Sequence, residues 1–77
     1  MDLDTAFGQT LRELRKERGL SQEALALEAG IERNYVSLLE RGMNSASMRI
    51  TFKLCAVLSI APSTFVKRIE AQLREAD

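Results

Sequence analysis

The segment Leu20–Gly42, LSQEALALEAGIERNYVSLLERG, decides the fold of this chain. Ser21 is a good helix N-cap, because its hydroxyl can accept from a backbone N–H that the first turn leaves without a partner. Leu20 and Leu25 flank that cap at the spacing of a hydrophobic staple, and Gly30 can take the left-handed backbone that stops a helix. The same grammar repeats at once, with Glu32 as a tolerable cap, Ile31 and Val36 as a second staple, and Gly42 as the stop. Two helices of about eight residues thus meet across Ala29-Gly30-Ile31-Glu32, a turn too tight for antiparallel packing and suited to a steep crossing. Small residues at Ala26 and Ala29 let the two axes come close.

Working outward, the preceding segment places Phe7, Leu11 and Leu14 at i, i+4 and i+7, with Arg12, Glu13, Lys16 and Glu17 on the other face. Asp2, Asp4 or Thr5 can cap this helix, Arg18 sits in its last turn, and Gly19 ends it. Beyond Gly42, Ser47 caps a fourth helix in which Met48, Thr51, Leu54, Cys55 and Leu58 can face inward. Pro62 suits the first turn of a fifth, which carries the stripe Phe65, Val66, Ile69 and Leu73. The chain reads as all-α, with five helices and no internal repeat.

At 77 residues the chain has room for a single domain, 1–77, and a domain of this size buries only about 60–65% of its unfolded surface. Apolar residues at 45% and charged residues at 29% match a folded globular domain rather than a disordered tail. The uncharged runs are shorter than the roughly 20 residues of a membrane span. The opening Met1-Asp2-Leu3-Asp4 is acidic where a secretory signal is basic, so the expected location is the cytoplasm, with no membrane partner. With one cysteine, Cys55, and no histidine, the chain offers neither an internal disulfide nor a metal site of its own. It also lacks the commonest general base, and the reading is of a protein that is not an enzyme, with no catalytic residues, metal or cofactor and no small-molecule ligand.

Eleven basic and eleven acidic residues cancel, but unevenly. Residues 33–53 hold Arg33, Arg41, Arg49 and Lys53 against Glu40 alone. If the third helix runs from Arg33 to about Arg41, Val36 and Leu39, with Tyr35 beside them, point to the core. Arg33, Asn34, Ser37, Leu38 and Arg41 then share an outer side without acids. That face suits a surface both anionic and partly apolar, as a DNA major groove is. The groove, about 12 Å wide, admits one helix; arginine can take guanine O6 and N7, asparagine can pair with adenine, and leucine can meet a thymine methyl. Leu38 fits core or groove, since a one-residue rotation of the helix exchanges the two.

These residues carry a resemblance. Leu14-Arg15, Gly19 to Ala26, Ala29-Gly30-Ile31, Arg33 to Ser37, Leu39 to Gly42 and the apolar register from Met48 to Ile60 resemble the Cro/cI-type (XRE-like) helix-turn-helix regulators, and among them the restriction-modification controller proteins. The resemblance covers roughly residues 7–66. It implies a compact five-helix, lambda-repressor-like DNA-binding domain, with the helix-turn-helix at about 21–41 and a C-terminal helix at about 62–75 used for dimerisation. It also implies that Arg33, Asn34, Ser37 and Leu38 read base edges, while Gln22, Tyr35, Arg41, Asn44 and Ser45 contact phosphates. Arg15 and Glu40 match a structural ion pair joining the first and third helices. Many controller-like relatives have an arginine-asparagine pair where this chain has Asn44-Ser45, which removes one cationic phosphate contact, and Thr51 stands where an apolar residue is usual.

The expected function is sequence-specific transcriptional regulation by a homodimer on a (pseudo)palindromic double-stranded operator, whether as a controller or a phage-type repressor. A small core has little space to cover the whole last stripe, so Phe65, Val66, Ile69 and Leu73 are expected to supply a dimer seam, at least in part. Two half-sites about 34 Å apart would then be read together. The competing reading is an antitoxin or other interaction module that binds a partner protein through the fifth helix.

Overall fold

Asp2, rather than Asp4 or Thr5, caps the first helix: its Oδ1 accepts from the Thr5 N–H at 2.7 Å. In the computed structural model, which describes residues 1–76, the helices that follow are α1 (Leu3–Glu17), α2 (Gln22–Ala29), α3 (Arg33–Glu40), α4 (Met48–Val57) and α5 (Pro62–Glu75). Ser21 Oγ accepts from the Ala24 N–H at 3.0 Å and Ser47 Oγ from the Ile50 N–H at 3.1 Å, so both predicted serine caps form. Glu32 occupies the N-cap of α3 without a side-chain cap bond.

The first four helices end alike. The N–H groups of Leu20, Ile31, Met43 and Ile60 reach back to the carbonyls of Arg15, Ala26, Leu38 and Cys55 at 2.9–3.1 Å, the long bond of a Schellman motif. This geometry needs a left-handed residue just before the donor. Three of the four are glycines; the fourth is Ser59, at φ 54°.

α1 packs against α3 and α5, α2 against α3 and α4, and α4 against α5. Between α4 and α5 the chain turns through 103°, and among the described residues no single helix is long and apolar enough to cross a membrane. Leu11, Leu14, Leu25, Val36, Leu39, Leu54, Leu58 and Phe65 are fully buried and meet at the centre, with Phe7 edge-on to Phe65 at 5.1 Å between ring centroids. Leu20 and Ile31 lie half-buried against this core, as staples should. Cys55 is buried there too, and burial pushes its thiol above the usual value, which leaves it a small apolar side chain rather than a nucleophile.

Two features depart from the periodicity, and one polar residue keeps to it. Met48, expected to face inward, is instead 72% exposed, because it lies on the wall of an open hollow shared with Val66 of α5 rather than beneath another helix. Thr51 does face inward, and its hydroxyl donates to the Ser47 carbonyl at 2.8 Å, so a polar residue stands at an apolar position without an unsatisfied group. The α5 stripe divides: Phe65 and Ile69 belong to the chain's own core at 1% and 5% exposure, Leu73 is half-buried, and Val66 is exposed. Of the stripe expected to supply a seam at least in part, Val66 and part of Leu73 lie on the surface, while Phe65 and Ile69 are buried within the chain. A fifth helix laid across both α1 and α4 covers two sides of its own stripe at once.

Polar contacts hold α5 in place. Gln72 Nε2 donates to the Oγ1 of buried Thr10 at 2.8 Å, and Arg68 pairs with Glu17 at 3.1 Å and Glu13 at 3.3 Å. The hydrogen bond from Arg68 holds the Glu17 carboxyl below its ordinary range. One residue beyond Glu17, Arg18 Nε donates to the Leu58 carbonyl at 2.7 Å, tying the end of α1 to the end of α4.

Candidate nucleic-acid interface

α3 owes its position to one buried ion pair and one glycine. Arg15 Nε donates to Glu40 Oε2 at 2.6 Å and Nη2 to Oε1 at 3.0 Å, the two-pronged match of guanidinium and carboxylate, while Nη1 donates to the Leu20 carbonyl at 2.8 Å. The Glu40 side chain is 3% exposed. Gly8, which the sequence reading passed over, lies where α1 crosses the end of α3: a Cβ there would meet the Leu39 carbonyl oxygen and approach the Glu40 oxygen to 2.7 Å. The available signal was a lone glycine inside an otherwise well-formed helix pattern.

The inward turn of Glu40 matters for the electrostatics. It is the sole acid between residues 33 and 53, and its charge is spent on Arg15 inside the protein. Arg33 on α3 and Arg41 just after it are exposed, as are Arg49 and Lys53 on α4, and no other acid comes from this segment. Arg33 makes no ion pair among the described residues.

Of the side chains predicted to read bases, Arg33 and Asn34 are exposed at the start of α3, and Ser37 and Leu38 are half-buried one turn on. Leu38 therefore lies at the border of the core, with part of its surface outward, between the two positions the sequence left open. Of the predicted phosphate ligands, Arg41, Asn44 and Ser45 are exposed and follow α3 directly. Tyr35 is half-buried, and its hydroxyl reaches the Ser45 carbonyl at 3.4 Å. Arg41 Nε donates to the Ser37 carbonyl at 3.4 Å, folding over the end of its own helix. Gln22 opens α2, and its Nε2 donates to Glu40 Oε1 at 3.0 Å, so the buried pair also sets the direction of this amide. The hydroxyl of Ser45 donates to Asp4 Oδ1 at 2.7 Å, a partnership the sequence did not suggest.

A second surface lies beside α5. A groove of about 340 Å³ is lined by Leu3, Phe7, Met48, Val66 and Leu73, among others. Met48, Phe52 and Val66 line a neighbouring hollow. Leu3, Met48, Phe52 and Val66 are large apolar side chains that are all about half exposed or more. Met48 was read as inward and Phe52 was not placed at all, although its spacing sets it one position from the inward residue Thr51. Among the described residues no cluster of His, Cys, Asp or Glu could hold a metal ion.

Comparison with known proteins agrees with this geometry. The helix-turn-helix family matches residues 11–65. The control protein C.MunI of Mycoplasma sp is 36% identical over 72 residues, covering 92% of this chain and 97% of its own. The crystal structure of the restriction-modification controller protein C.AhdI from Aeromonas hydrophila superposes with a TM-score of 0.78 at 45% identity, over 80% of this chain and 94% of that one. The clp gene regulator ClgR from Corynebacterium glutamicum superposes with a TM-score of 0.92 at 26% identity, over 99% of this chain and 83% of that one. With its central fifty-five residues matching the family and relatives of nearly its own length among the controllers, this chain belongs to the helix-turn-helix family of DNA-binding transcriptional regulators.

Proposed function

We propose that this protein binds a two-fold symmetric double-stranded DNA operator as a homodimer, with α3 of each subunit in a major groove. The observation that carries the reading is the outer face of α3, where Arg33 and Asn34 are exposed and the one acid of the segment, Glu40, is turned inward onto Arg15. Arg33, Asn34, Ser37 and Leu38 read base edges. Gln22, Tyr35, Arg41, Asn44 and Ser45 take phosphates on either side, supplying an affinity that falls with salt. Because relatives such as C.MunI and C.AhdI are controllers, a restriction-modification operator is the favoured target.

Dimerisation uses the apolar surface of Val66, with Met48 and Phe52 beside it. One helix reads few base pairs, whereas two related by a two-fold axis read half-sites about 34 Å apart. Occupancy then depends steeply on protein concentration, and no effector is required. Selection of binding sites from a random duplex pool tests the proposal. A palindromic consensus is expected; no enrichment, even at low salt, would overturn it.

A further inference from the structure

We propose that Asp4 is a positioning residue for DNA binding: from the first turn of α1 it holds the loop after α3 in the shape that meets phosphate. This inference rests on the DNA-binding reading above. The loop carries Asn44 and Ser45, both exposed. Beyond Met43, whose N–H closes the end of α3 on the Leu38 carbonyl, two side chains fix it from different directions. Tyr35, from within α3, donates to the Ser45 carbonyl at 3.4 Å, and the Ser45 hydroxyl donates to Asp4 Oδ1 at 2.7 Å across 41 residues of chain. The same place is a close backbone approach: a Cβ on Gly42 would lie 3.2 Å from the Cα of Thr5, so the first turn of α1 forms the platform on which the loop rests.

A carboxylate is an odd neighbour for a phosphate-binding loop, since a charge at that position repels the ligand. Its presence is explained by what it fixes. An ionised oxygen is the stronger acceptor for a hydroxyl. With that proton committed to Asp4, the backbone and Asn44 are presented in one conformation rather than ordered at the moment of binding, which would cost affinity. The repulsion and the ordering act in opposite directions, and substitutions separate them.

The experiment measures binding of the full-length protein to a duplex selected from a random pool, alongside a scrambled duplex, with thermal stability followed for each variant. Asp4→Ala is expected to weaken binding to both duplexes by about three- to tenfold, the loss of roughly one hydrogen bond. Asp4→Asn keeps an acceptor without the charge and is expected to bind at least as tightly as the wild type. In a Ser45→Ala background only the repulsion is left, so Asp4→Ala is expected to leave binding unchanged or slightly tighter. Amide hydrogen exchange at residues 43–46 of the free protein is expected to quicken in Asp4→Ala but not in Asp4→Asn. If Asp4→Ala binds as tightly as or more tightly than the wild type, or weakens binding equally with and without Ser45, the positioning role is overturned while the DNA-binding reading stands. A wild-type protein that binds no duplex overturns both.

Discussion

The Glu40 carboxylate serves three donors on two groups at once, Nε and Nη2 of Arg15 and Nε2 of Gln22. Its value to the protein is therefore that of a hub rather than of an isolated ion pair. Removing it strands a buried guanidinium, and Glu40→Ala is expected to lower stability by about 3–5 kcal/mol in urea unfolding. At the surface the logic is reversed. Arg33 has no ion-pair partner among the described residues, so Arg33→Ala should leave stability near wild type and cost about 1–3 kcal/mol on the preferred operator, with little change on random DNA. Arg41→Ala should instead weaken both duplexes to a similar degree, because a phosphate contact carries no sequence information. Fluorescence titrations on the two duplexes distinguish these roles; equal losses for Arg33→Ala would remove it from base reading.

Helix ends and helix crossings are the next scale, and each has one residue that breaks a local rule. α4 ends on Ser59 in the left-handed region, where an L side chain costs about 1–2 kcal/mol. Glycine relieves that strain and returns about 0.5–1 kcal/mol of it through the freedom of the unfolded chain. Ser59→Gly is therefore expected to stabilise the protein slightly, read as a melting temperature higher by a few degrees. Gly8 breaks the opposite rule. Alanine within a helix is normally better by about 1 kcal/mol, yet at this position its Cβ would be driven into the carbonyls at the end of α3. Gly8→Ala is expected to destabilise by about 1–3 kcal/mol as the crossing opens. A stabilised Gly8→Ala protein would show that α1 and α3 do not approach as closely as described.

The whole molecule is 35 Å long and 23 Å across, and its surface divides into a basic face around α3 and an apolar one along α4 and α5. Side chains beneath and on the second face respond differently to charge. Val66 is 49% exposed and Ile69 is 5% exposed. Val66→Asp is expected to leave a folded monomer, seen by sedimentation with an unchanged helical spectrum, and to bind a single half-site weakly. Ile69→Asp buries an unpaired carboxylate and should unfold the chain instead. A Val66→Asp protein that sediments as a dimer would move the interface away from this face.

What this sequence determined by itself was much of what depends on a few consecutive residues. Ser21 and Ser47 cap because a hydroxyl reaches an N–H three residues on, and Gly30 stops a helix because it lacks a Cβ. The outer face of α3 was legible for the same reason, since helical spacing alone separates Arg33 and Asn34 from Val36 and Leu39. The tertiary structure decided which of several apolar stripes would be covered, and how far. A stripe fixes a direction around one helix, but not the position of the helix that meets it. Hence Phe65 and Ile69 went inside, Met48 and Phe52 stayed out, and the Ser45 hydroxyl found Asp4 from the far end of the chain. Such pairings arise only once the crossing of two helices, set at Gly8 by a missing methyl group, has brought distant residues to within a hydrogen bond.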